Sequence, residues 1–174
     1  AARSLGLVHV ITGPGKGKTT AAFGLAMRAA GHGLKVCIIQ FMKTGQQTGE
    51  YSSAERLGIR IQQFGTGKFV GRTGPTQEDR AAAATAMREA TRLLTSGDCD
   101  LIVLDEVNTA AHFGLVAAEE VLAAVRSRRQ GVEVVLTGRN APAEFLEAAD
   151  YVSSVDSVKH PYDKGQAARE GIEW

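Results

Sequence analysis

The amino-acid sequence predicts one doubly wound α/β domain over 1–174, with a mainly parallel sheet and helices on both faces. Short apolar segments alternate along the chain with longer segments of helical spacing, which is the pattern of parallel strands joined by crossover helices. The 174 residues, of which 44% are hydrophobic and 22% charged, suit a single ordered domain. A glycine-rich turn directly after the first apolar segment is the third observation, because such turns join a strand to a helix in this class.

The first third of the chain supplies three strands and two helices. From the amino end we expect a strand over 7–11, a helix over 18–30, a strand over Val36–Phe41, a short helix near 53–57 and a strand over 59–64. The segment Val36–Phe41 is apolar on both faces, as a central parallel strand requires. Ile59 and Ile61 alternate with polar residues, so one face of the third strand is expected to contact water.

The rest of the chain continues the alternation. A glycine-rich segment over 65–75 is predicted to be a mobile loop. Thr76 is expected to cap a helix that reaches 94, with Asp79 completing the capping box. Ala83, Met87 and Ala90 have helical spacing along that helix, so they are expected to face the core. There follow, in order, a strand over 101–104, a helix over 115–128, a strand over 132–136, a helix over 142–148, a strand over 151–155 and a tail over 156–174.

Composition and charge exclude several classes of protein. The chain has 20 Lys and Arg against 19 Asp and Glu, a net charge of +1, which gives no indication of binding to nucleic acid or a membrane surface. No apolar segment approaches the roughly 18 residues that a membrane helix needs. Cys37 and Cys99 are too few for a secreted disulfide framework, and both are expected to pack as small hydrophobic residues. Because the first residues do not resemble a signal peptide, we expect a soluble cytoplasmic protein.

The first apolar strand leads into a sequence with the pattern of a phosphate-binding Walker A loop. Its residues are Thr12, Gly13, Pro14, Gly15, Lys16, Gly17, Lys18, Thr19 and Thr20. Glycines let backbone N–H groups point at phosphate oxygens, and the start of the following helix adds partial positive charge. Lys18 is predicted to bind phosphate, and to face solvent when no nucleotide is present, while Thr19 offers its hydroxyl to Mg²⁺. Thr12 stands where the usual pattern has its first glycine. The alternative, a flexible turn before a helix, does not account for Gly-Lys-Thr at the helix start.

Two acidic residues, Asp105 and Glu106, follow the hydrophobic strand over 101–104. Ligands of open α/β sheets bind at the carboxyl ends of the strands, so these carboxylates are expected to face the phosphate loop. Mg²⁺ prefers hard oxygen ligands, and together with Thr19 the two acids form a Walker B arrangement for that ion. Which acid contacts the metal, directly or through water, stays open. The combination predicts a P-loop NTPase-like fold with a Mg²⁺–nucleoside triphosphate site.

A third polar segment, Gly138-Arg139-Asn140, ends the strand over 132–136 and reaches the same edge of the sheet. Two interpretations of it are kept. Arg139 pairs with phosphate, since guanidinium geometry matches phosphate oxygens, or Asn140 caps the following helix and Arg139 is solvated.

The order of these motifs resembles the P-loop type of corrinoid (cob(I)alamin or cob(I)yrinic acid a,c-diamide) adenosyltransferase. The resemblance covers nearly the whole chain and rests on the segments 12–20, 40–43, 49–50, 104–106, 137–139, 158–162 and 171–174. The form of the phosphate loop with Thr12 at its first position is a feature of that family. The tail over 158–174 is another, and it is more specific than either Walker motif.

The resemblance implies transfer of the 5′-deoxyadenosyl group of ATP to cobalt(I) of a corrinoid, with release of triphosphate, in adenosylcobalamin biosynthesis or salvage. Cobalt(I) is itself the nucleophile, so no protein general base is needed. Lys18, the loop amides and Mg²⁺ would stabilise charge on the leaving triphosphate. The nucleotide of this family lies reversed in its loop relative to ordinary P-loop ATPases. Lys18, Glu106 and Phe69 are the candidate catalytic residues.

On the corrinoid side, the resemblance implies an aromatic side chain that keeps water or a lower ligand off the cobalt. The segment 67–70 matches that part of the family, which makes Phe69 the candidate and Phe64 the second choice. Packing of Phe69 as a plain loop anchor is the alternative. The family also implies a homodimer and a flavin reductase that supplies electrons.

Two other functions remain to be weighed against adenosyl transfer. One is a P-loop ATPase or small-molecule kinase, since Glu106 can orient a water or hydroxyl nucleophile. The other is a nucleotide switch without catalysis. The product decides between them: triphosphate for adenosyl transfer, and phosphate or diphosphate for the ATPase and kinase.

Overall fold

Six parallel strands form one sheet in the centre of the molecule. A computed structural model describes residues 4–45, 48–68, 70 and 74–173. The strands are β1 (Val8–Thr12), β2 (Val36–Phe41), β3 (Arg60–Phe64), β4 (Leu101–Asp105), β5 (Glu133–Thr137) and β6 (Tyr151–Ser154). Their spatial order is β3-β2-β4-β5-β1-β6, so the first strand lies between the fifth and the sixth. This confirms the predicted doubly wound, parallel α/β domain.

Helices cover both faces of the sheet. They are α1 (Lys18–Gly31), α2 (Gly49–Arg56), α3 (Gln77–Ser96), α4 (Val107–His112), α5 (Ala118–Arg126) and α6 (Ala143–Ala148), and a 3₁₀ turn Pro161–Lys164 lies in the tail. Apolar residues of α1 and α2 pack in one core cluster, and those of α3 to α6 pack in the other. In the part of the chain that the structure describes, no helix is both long enough and apolar enough to cross a bilayer.

The two layers of helices place the site. The connections that leave β1 and β2 run over one face, and those that leave β3, β4 and β5 run over the other. The neighbours β2 and β4, and likewise β5 and β1, therefore send their connections over opposite faces of the sheet. Ligands of doubly wound sheets bind at the carboxyl ends of strands at such a point.

Most predicted elements lie where the sequence placed them. β2 has the predicted bounds, and Thr76 caps α3 in a complete capping box with Asp79. Ala83, Met87 and Ala90 are buried in the core, as their spacing predicted. The helix predicted over 115–128 is wrong at both ends, because α5 covers only Ala118–Arg126. The separate short helix α4 precedes it and was not predicted.

The two cysteines correct another expectation. Cys37 in β2 and Cys99 before β4 form a disulfide, with Cα atoms 6.0 Å apart, rather than packing as independent hydrophobic residues. Both are buried, at 3% and 2% exposure. The bond joins positions 62 residues apart, and chain-entropy arguments give a loop of that length a stabilisation of about 4 kcal/mol.

Removing the disulfide is therefore expected to cost stability. The double variant Cys37→Ala, Cys99→Ala should lose up to about 4 kcal/mol of unfolding free energy in urea without reductant. The wild type in excess reductant is the control and should approach the variant. Alkylation of the denatured, unreduced wild type should label no thiol; two labelled thiols would contradict the pairing.

Candidate active site

The phosphate loop is fixed to the segment that follows β6. The Gly15 N–H donates to the carbonyl of Val155 at 2.7 Å, and the Val155 N–H donates to the carbonyl of Thr12 at 2.9 Å. A Cβ atom on Gly13 would lie 2.5 Å from the Val155 oxygen, and one on Gly15 would collide with the carbonyl of Asp156. The close approach of this segment therefore requires both glycines, whatever the loop binds.

Thr12 explains the departure from the usual loop pattern. Its hydroxyl accepts a hydrogen bond of 3.2 Å from the Ala141 N–H, which lies in the segment after β5. A glycine at this position would lack that contact. The side chain thus connects the end of β1 to the neighbouring loop.

Lys18 lies folded back on the loop. Its ammonium donates to the carbonyl of Gly15 at 2.6 Å, and the residue is only 7% exposed. Burial lowers the pKa of Lys18, and the positive charge of Arg139 lowers it further. The expectation that this lysine faces solvent without nucleotide is wrong, because the loop offers its ammonium an internal acceptor. The ammonium has three N–H donors, so the bond to Gly15 leaves two of them for a phosphate that enters the loop.

Asp105 lies at the centre of the site. Its side chain is fully buried, and each carboxylate oxygen accepts two hydrogen bonds. Oδ1 accepts from the hydroxyls of Thr19 at 2.9 Å and Thr137 at 2.7 Å. Oδ2 accepts from the Gln40 amide and the Lys43 ammonium, both at 3.0 Å. The structure thus joins the phosphate loop to the acidic end of β4.

Two partners of Asp105, Gln40 and Thr137, come from neighbouring strands at one level of the sheet. Gln40 pairs in register with Gln63 of β3 on one side and with Asp105 of β4 on the other. The Gln63 amide donates to Gln40 Oε1 at 2.9 Å, which directs the Gln40 amide nitrogen toward Asp105. Polar side chains therefore link β3, β2, β4 and β5 in one row, and this row fixes the orientation of the carboxylate.

The site suits a magnesium ion held largely by its nucleotide. The Thr19 hydroxyl donates its proton to Asp105, which leaves the lone pairs of its oxygen for a cation. Among the residues that the structure describes, no three His, Cys, Asp or Glu side chains gather into a complete metal cage. Mg²⁺ in phosphate sites is bound by few protein oxygens, with phosphate and water as the other ligands. The donor set here fits that kind of binding.

Glu106 turns the chain from β4 into α4. It has a left-handed backbone (φ 63°), which is unfavourable for a residue with a side chain. Its N–H donates to the Thr137 hydroxyl at 3.1 Å, and its carboxylate accepts from the Thr109 hydroxyl at 2.6 Å. Its negative charge favours the protonated forms of Lys18 and Lys43, so the carboxylate interacts electrostatically with both lysines of the site.

Arg139 is exposed at the edge of the site, and its positive charge lowers the pKa of Lys18. Its backbone N–H donates to the Thr109 hydroxyl at 3.0 Å. The alternative role for the neighbouring Asn140 is wrong. Helix α6 begins after Pro142 without a side-chain cap, so Asn140 does not cap it.

Comparisons with known proteins identify the family. The family model described as "ATP:corrinoid adenosyltransferase BtuR/CobO/CobP" matches residues 4–174. The chain belongs to this family. Its activity, the ATP-dependent adenosylation of corrinoids, is the activity of this enzyme, as the motif order of the sequence predicted.

Named relatives agree with the family match. The chain is 40% identical to the corrinoid adenosyltransferase of Escherichia coli (strain K12) over 97% of its own length and 86% of the relative's. It is 38% identical to the corrinoid adenosyltransferase CobA of Salmonella typhimurium, with the same coverage. A solved KaiC-like protein, PH0186 of Pyrococcus horikoshii, shares the fold with a TM-score of 0.57 at 18% identity, over 87% of this chain and 73% of that one.

The carboxyl-terminal tail of the adenosyltransferase lies beside the phosphate loop. Gly171, Ile172 and Glu173 line a cleft of about 370 Å³ together with Thr19, Thr20, Phe23, Lys43, Gly49, Glu50 and Ser53. Hydrogen bonds from Arg169 lower the pKa of Glu173, and the exposed Lys16 adds a smaller effect. Trp174 lies outside the described residues. The tail thus forms one wall of the space next to the loop.

The predicted corrinoid-side loop is anchored at two described points. The Thr66 hydroxyl donates to Asp79 of α3 at 2.7 Å, and Val70 is buried in the core at 5% exposure. Phe69 lies outside the described residues. Phe64 packs partly buried against the core. The mobility of the loop and the role of Phe69 therefore stay predictions.

Several residues of the adenosyltransferase site carried no predicted role. Gln40, Lys43 and Thr137 contact Asp105 directly, and Thr109 holds Glu106. Gln40, Lys43 and Thr137 had a signal in the sequence, since they belong to the segments 40–43 and 137–139 on which the family resemblance rests. Thr109 had none, because it lies in the unpredicted helix α4.

The loop glycines give a prediction with a matched control. Gly15→Ala is expected to lower the melting temperature and to weaken ATP binding about tenfold or more, because backbone carbonyls of Val155 and Asp156 occupy the space. Gly24→Ala, in the middle of α1, meets no atom within 4 Å and should stabilise the protein by up to about 1 kcal/mol. Calorimetry and thermal unfolding measure both. Equal behaviour of the two variants would contradict the packing argument.

Proposed function

We propose that this enzyme transfers the 5′-deoxyadenosyl group from ATP to cobalt(I) of a corrinoid through the site built around Thr19 and Asp105. The observation that carries the choice of reaction is the family match over residues 4–174. The 2.9 Å hydrogen bond between Thr19 and Asp105 supports this location of the site, because it joins a phosphate loop to an acidic strand end. The corrinoid substrate is cob(I)alamin or an earlier cobalt(I) corrinoid.

The reaction is a displacement at the 5′ carbon of the ribose. Cobalt(I) supplies an electron pair for the new cobalt–carbon bond, and the bond from carbon to the triphosphate oxygen breaks. Triphosphate leaves with that electron pair, so the negative charge develops on its bridging oxygen. No protein base is required, and the protein contributes by holding the two substrates in line.

Lys18 and the loop bind the triphosphate. The Lys18 ammonium donates its remaining N–H groups to phosphate oxygens, and the N–H groups at the start of α1 contribute their partial positive charge. The guanidinium of Arg139 adds a further cation at the rim. These charges act on the leaving group as its charge grows, so they lower the barrier rather than only the dissociation constant.

Mg²⁺ supplies charge neutralisation for the triphosphate when it is bound. Thr19 would hold the ion through its hydroxyl oxygen, and Asp105 would orient that hydroxyl. Support comes from the 2.9 Å hydrogen bond that already joins the two side chains. Glu106, next to Asp105 in the sequence, would supply the second carboxylate of the metal site.

Phe69 belongs to the corrinoid side of the proposal. It directly precedes Val70 in the sequence, and Val70 is buried in the core. In the proposal its aromatic ring excludes water or a lower ligand from the cobalt, which makes the metal easier to reduce. The enzyme functions as a homodimer with a flavin reductase as electron donor.

The proposed location is the cytoplasm. Cytoplasmic thiols are usually kept reduced, so in the cytoplasm Cys37 and Cys99 are expected as free thiols although the folded structure can pair them. Thiol labelling of protein isolated under rapid acid quench tests the location: two labelled thiols agree with the cytoplasm, and an intact disulfide in the cell contradicts it.

The test of the proposed function is the identity of the product. Protein, Mg²⁺–ATP and chemically reduced cobalamin are mixed without oxygen, and absorbance and phosphate products are followed. Triphosphate formed in equal amount to the adenosylated corrinoid supports the proposal. Phosphate or diphosphate as the product would instead support a P-loop ATPase or kinase.

A further inference from the structure

Lys43 occupies an unusual position between two acidic side chains. Its ammonium lies 3.0 Å from Asp105 Oδ2 and 3.6 Å from Glu50 Oε1, so two carboxylates share it. The Lys43 side chain is 26% exposed, whereas that of Asp105 is fully buried. The lysine therefore reaches inward from the cleft to a carboxylate that water does not contact.

The backbone holds Lys43 in this place. The preceding residue, Met42, has a left-handed conformation (φ 59°), which is unfavourable for a side-chain-bearing residue. A Cβ on Gly65 would lie 2.6 Å from the backbone nitrogen of Lys43, so the loop after β3 packs directly against this turn. Two independent features thus direct the lysine toward the end of β4.

Lys43 is the charge that compensates Asp105. Thr19, Thr137 and Gln40 donate to the carboxylate as neutral groups. Across the part of the chain that the structure describes, Lys43 alone forms an ion pair with Asp105. Burying a carboxylate without a positive partner is costly, and Lys43 supplies that partner in direct contact, while the charge of Lys18 acts on Asp105 without an ion-pair contact.

We propose that Lys43 takes the place of the divalent cation in the nucleotide-free enzyme and gives it up when the metal–nucleotide complex binds. This inference rests on the magnesium–nucleotide site of the proposed function. Two cations on one carboxylate repel each other, so the metal enters only as Lys43 leaves. Glu50 and a phosphate oxygen then receive the ammonium.

Glu50 makes this exchange possible over a short path. It already lies within ion-pair distance of Lys43, and it lines the same cleft as Thr19 and Thr20. The ammonium thus turns from the buried carboxylate toward the place where phosphates lie beside the loop. It arrives there as a third cation with Lys18 and Arg139. As a consequence the free enzyme binds divalent metal weakly, and the metal enters together with its nucleotide.

The test measures metal binding without nucleotide. Free Mn²⁺ is titrated by electron paramagnetic resonance against the wild type, Lys43→Met, Lys43→Gln and Lys43→Arg. Removing a neighbouring positive charge should tighten Mn²⁺ binding by about tenfold or more in the Met and Gln variants. The Arg variant keeps the charge and should resemble the wild type. The glutamine variant keeps a hydrogen-bond donor, so it serves if the methionine variant does not fold.

Two further measurements locate the effect. Lys43→Met combined with Asp105→Asn should lose the gain in Mn²⁺ affinity, because the carboxylate is gone. Calorimetry with inorganic triphosphate and Mg²⁺ should show about tenfold weaker binding to Lys43→Met, which lacks the transferred ammonium.

The inference is overturned if the Met and Gln variants bind Mn²⁺ no better than the wild type. It is also overturned if Lys43→Arg gains as much as Lys43→Met, or if the double variant keeps the gain. These outcomes are independent of the product assay. An enzyme that releases triphosphate but shows no Mn²⁺ effect loses only the role of Lys43.

Discussion

Lys18→Ala is expected to lower kcat/KM for adenosyl transfer about 1000-fold, equivalent to about 4 kcal/mol of transition-state stabilisation. In the proposed function, this ammonium is the loop cation that stabilises the negative charge of the leaving triphosphate. Its loss should reduce kcat as well as weaken ATP binding, because the charge it stabilises grows during the reaction. Steady-state kinetics with preformed cobalt(I) corrinoid measures both parameters.

The stability of this variant is a separate expectation. Lys18 is buried and bonded to the Gly15 carbonyl, so its removal leaves that acceptor unpaired. Burial also penalises the charged form of Lys18, as its lowered pKa indicates, and this penalty disappears in the variant. The two effects oppose each other, so unfolding free energy should change by about 1 kcal/mol or less.

Two variants serve as controls for Lys18. Lys18→Met keeps the length of the side chain and should be as inactive as the alanine variant. Lys35→Ala removes an exposed lysine before β2, at the opposite end of the sheet, and should leave kcat/KM unchanged. A large fall in melting temperature for Lys18→Ala would contradict the opposing effects, and full activity of Lys18→Met would remove the role of its charge.

Asp105→Asn is expected to damage both stability and activity. The carboxylate accepts from Thr19, Thr137, Gln40 and Lys43, and an amide offers one acceptor atom in its place. The amide nitrogen then faces donors, and Lys43 loses its buried partner. Breaking a buried ion pair in this way costs about 3 kcal/mol, measured by urea unfolding. The rate of triphosphate release should fall about 1000-fold, because the Thr19 hydroxyl is no longer oriented.

Glu147→Gln is the matched control for Asp105. It neutralises one exposed acid on α6, far from the hydrogen-bonded row, and should change neither measurement. Wild-type stability of Asp105→Asn would show that the four contacts do not depend on the charge of the carboxylate. An active and destabilised variant would separate the structural role of Asp105 from catalysis.

Local patterns explain why much of the fold could be predicted. The apolar run of β2 reads as a buried parallel strand because both its faces are covered, and all six of its residues are buried. Thr76 and Asp79 lie three residues apart, so the start of α3 is visible in the sequence itself. Helix α4 has six residues, too few for a periodic pattern to emerge, and its first turn follows a left-handed glutamate.

The phosphate loop and the acidic strand end were also visible in the sequence, since their chemistry depends on adjacent residues. The partners of Asp105 were not. Thr19 is 86 residues from Asp105 in the chain, Gln40 is 65 and Lys43 is 62. No local pattern relates such positions. The pairing of Cys37 with Cys99 could not be predicted for the same reason, because the two cysteines meet only through the pairing of β2 with β4.

The sequence by itself determined the class of fold, the Walker A pattern of the loop after β1 and the family, because these depend on residue types at short, fixed spacings. Only the tertiary structure decided which side chains surround Asp105, that Lys18 is folded onto its own loop, and that Lys43 forms an ion pair with Asp105. Those facts depend on the strand order of the sheet. It places the ends of β2, β4, β5 and β1 side by side, although they are remote along the chain.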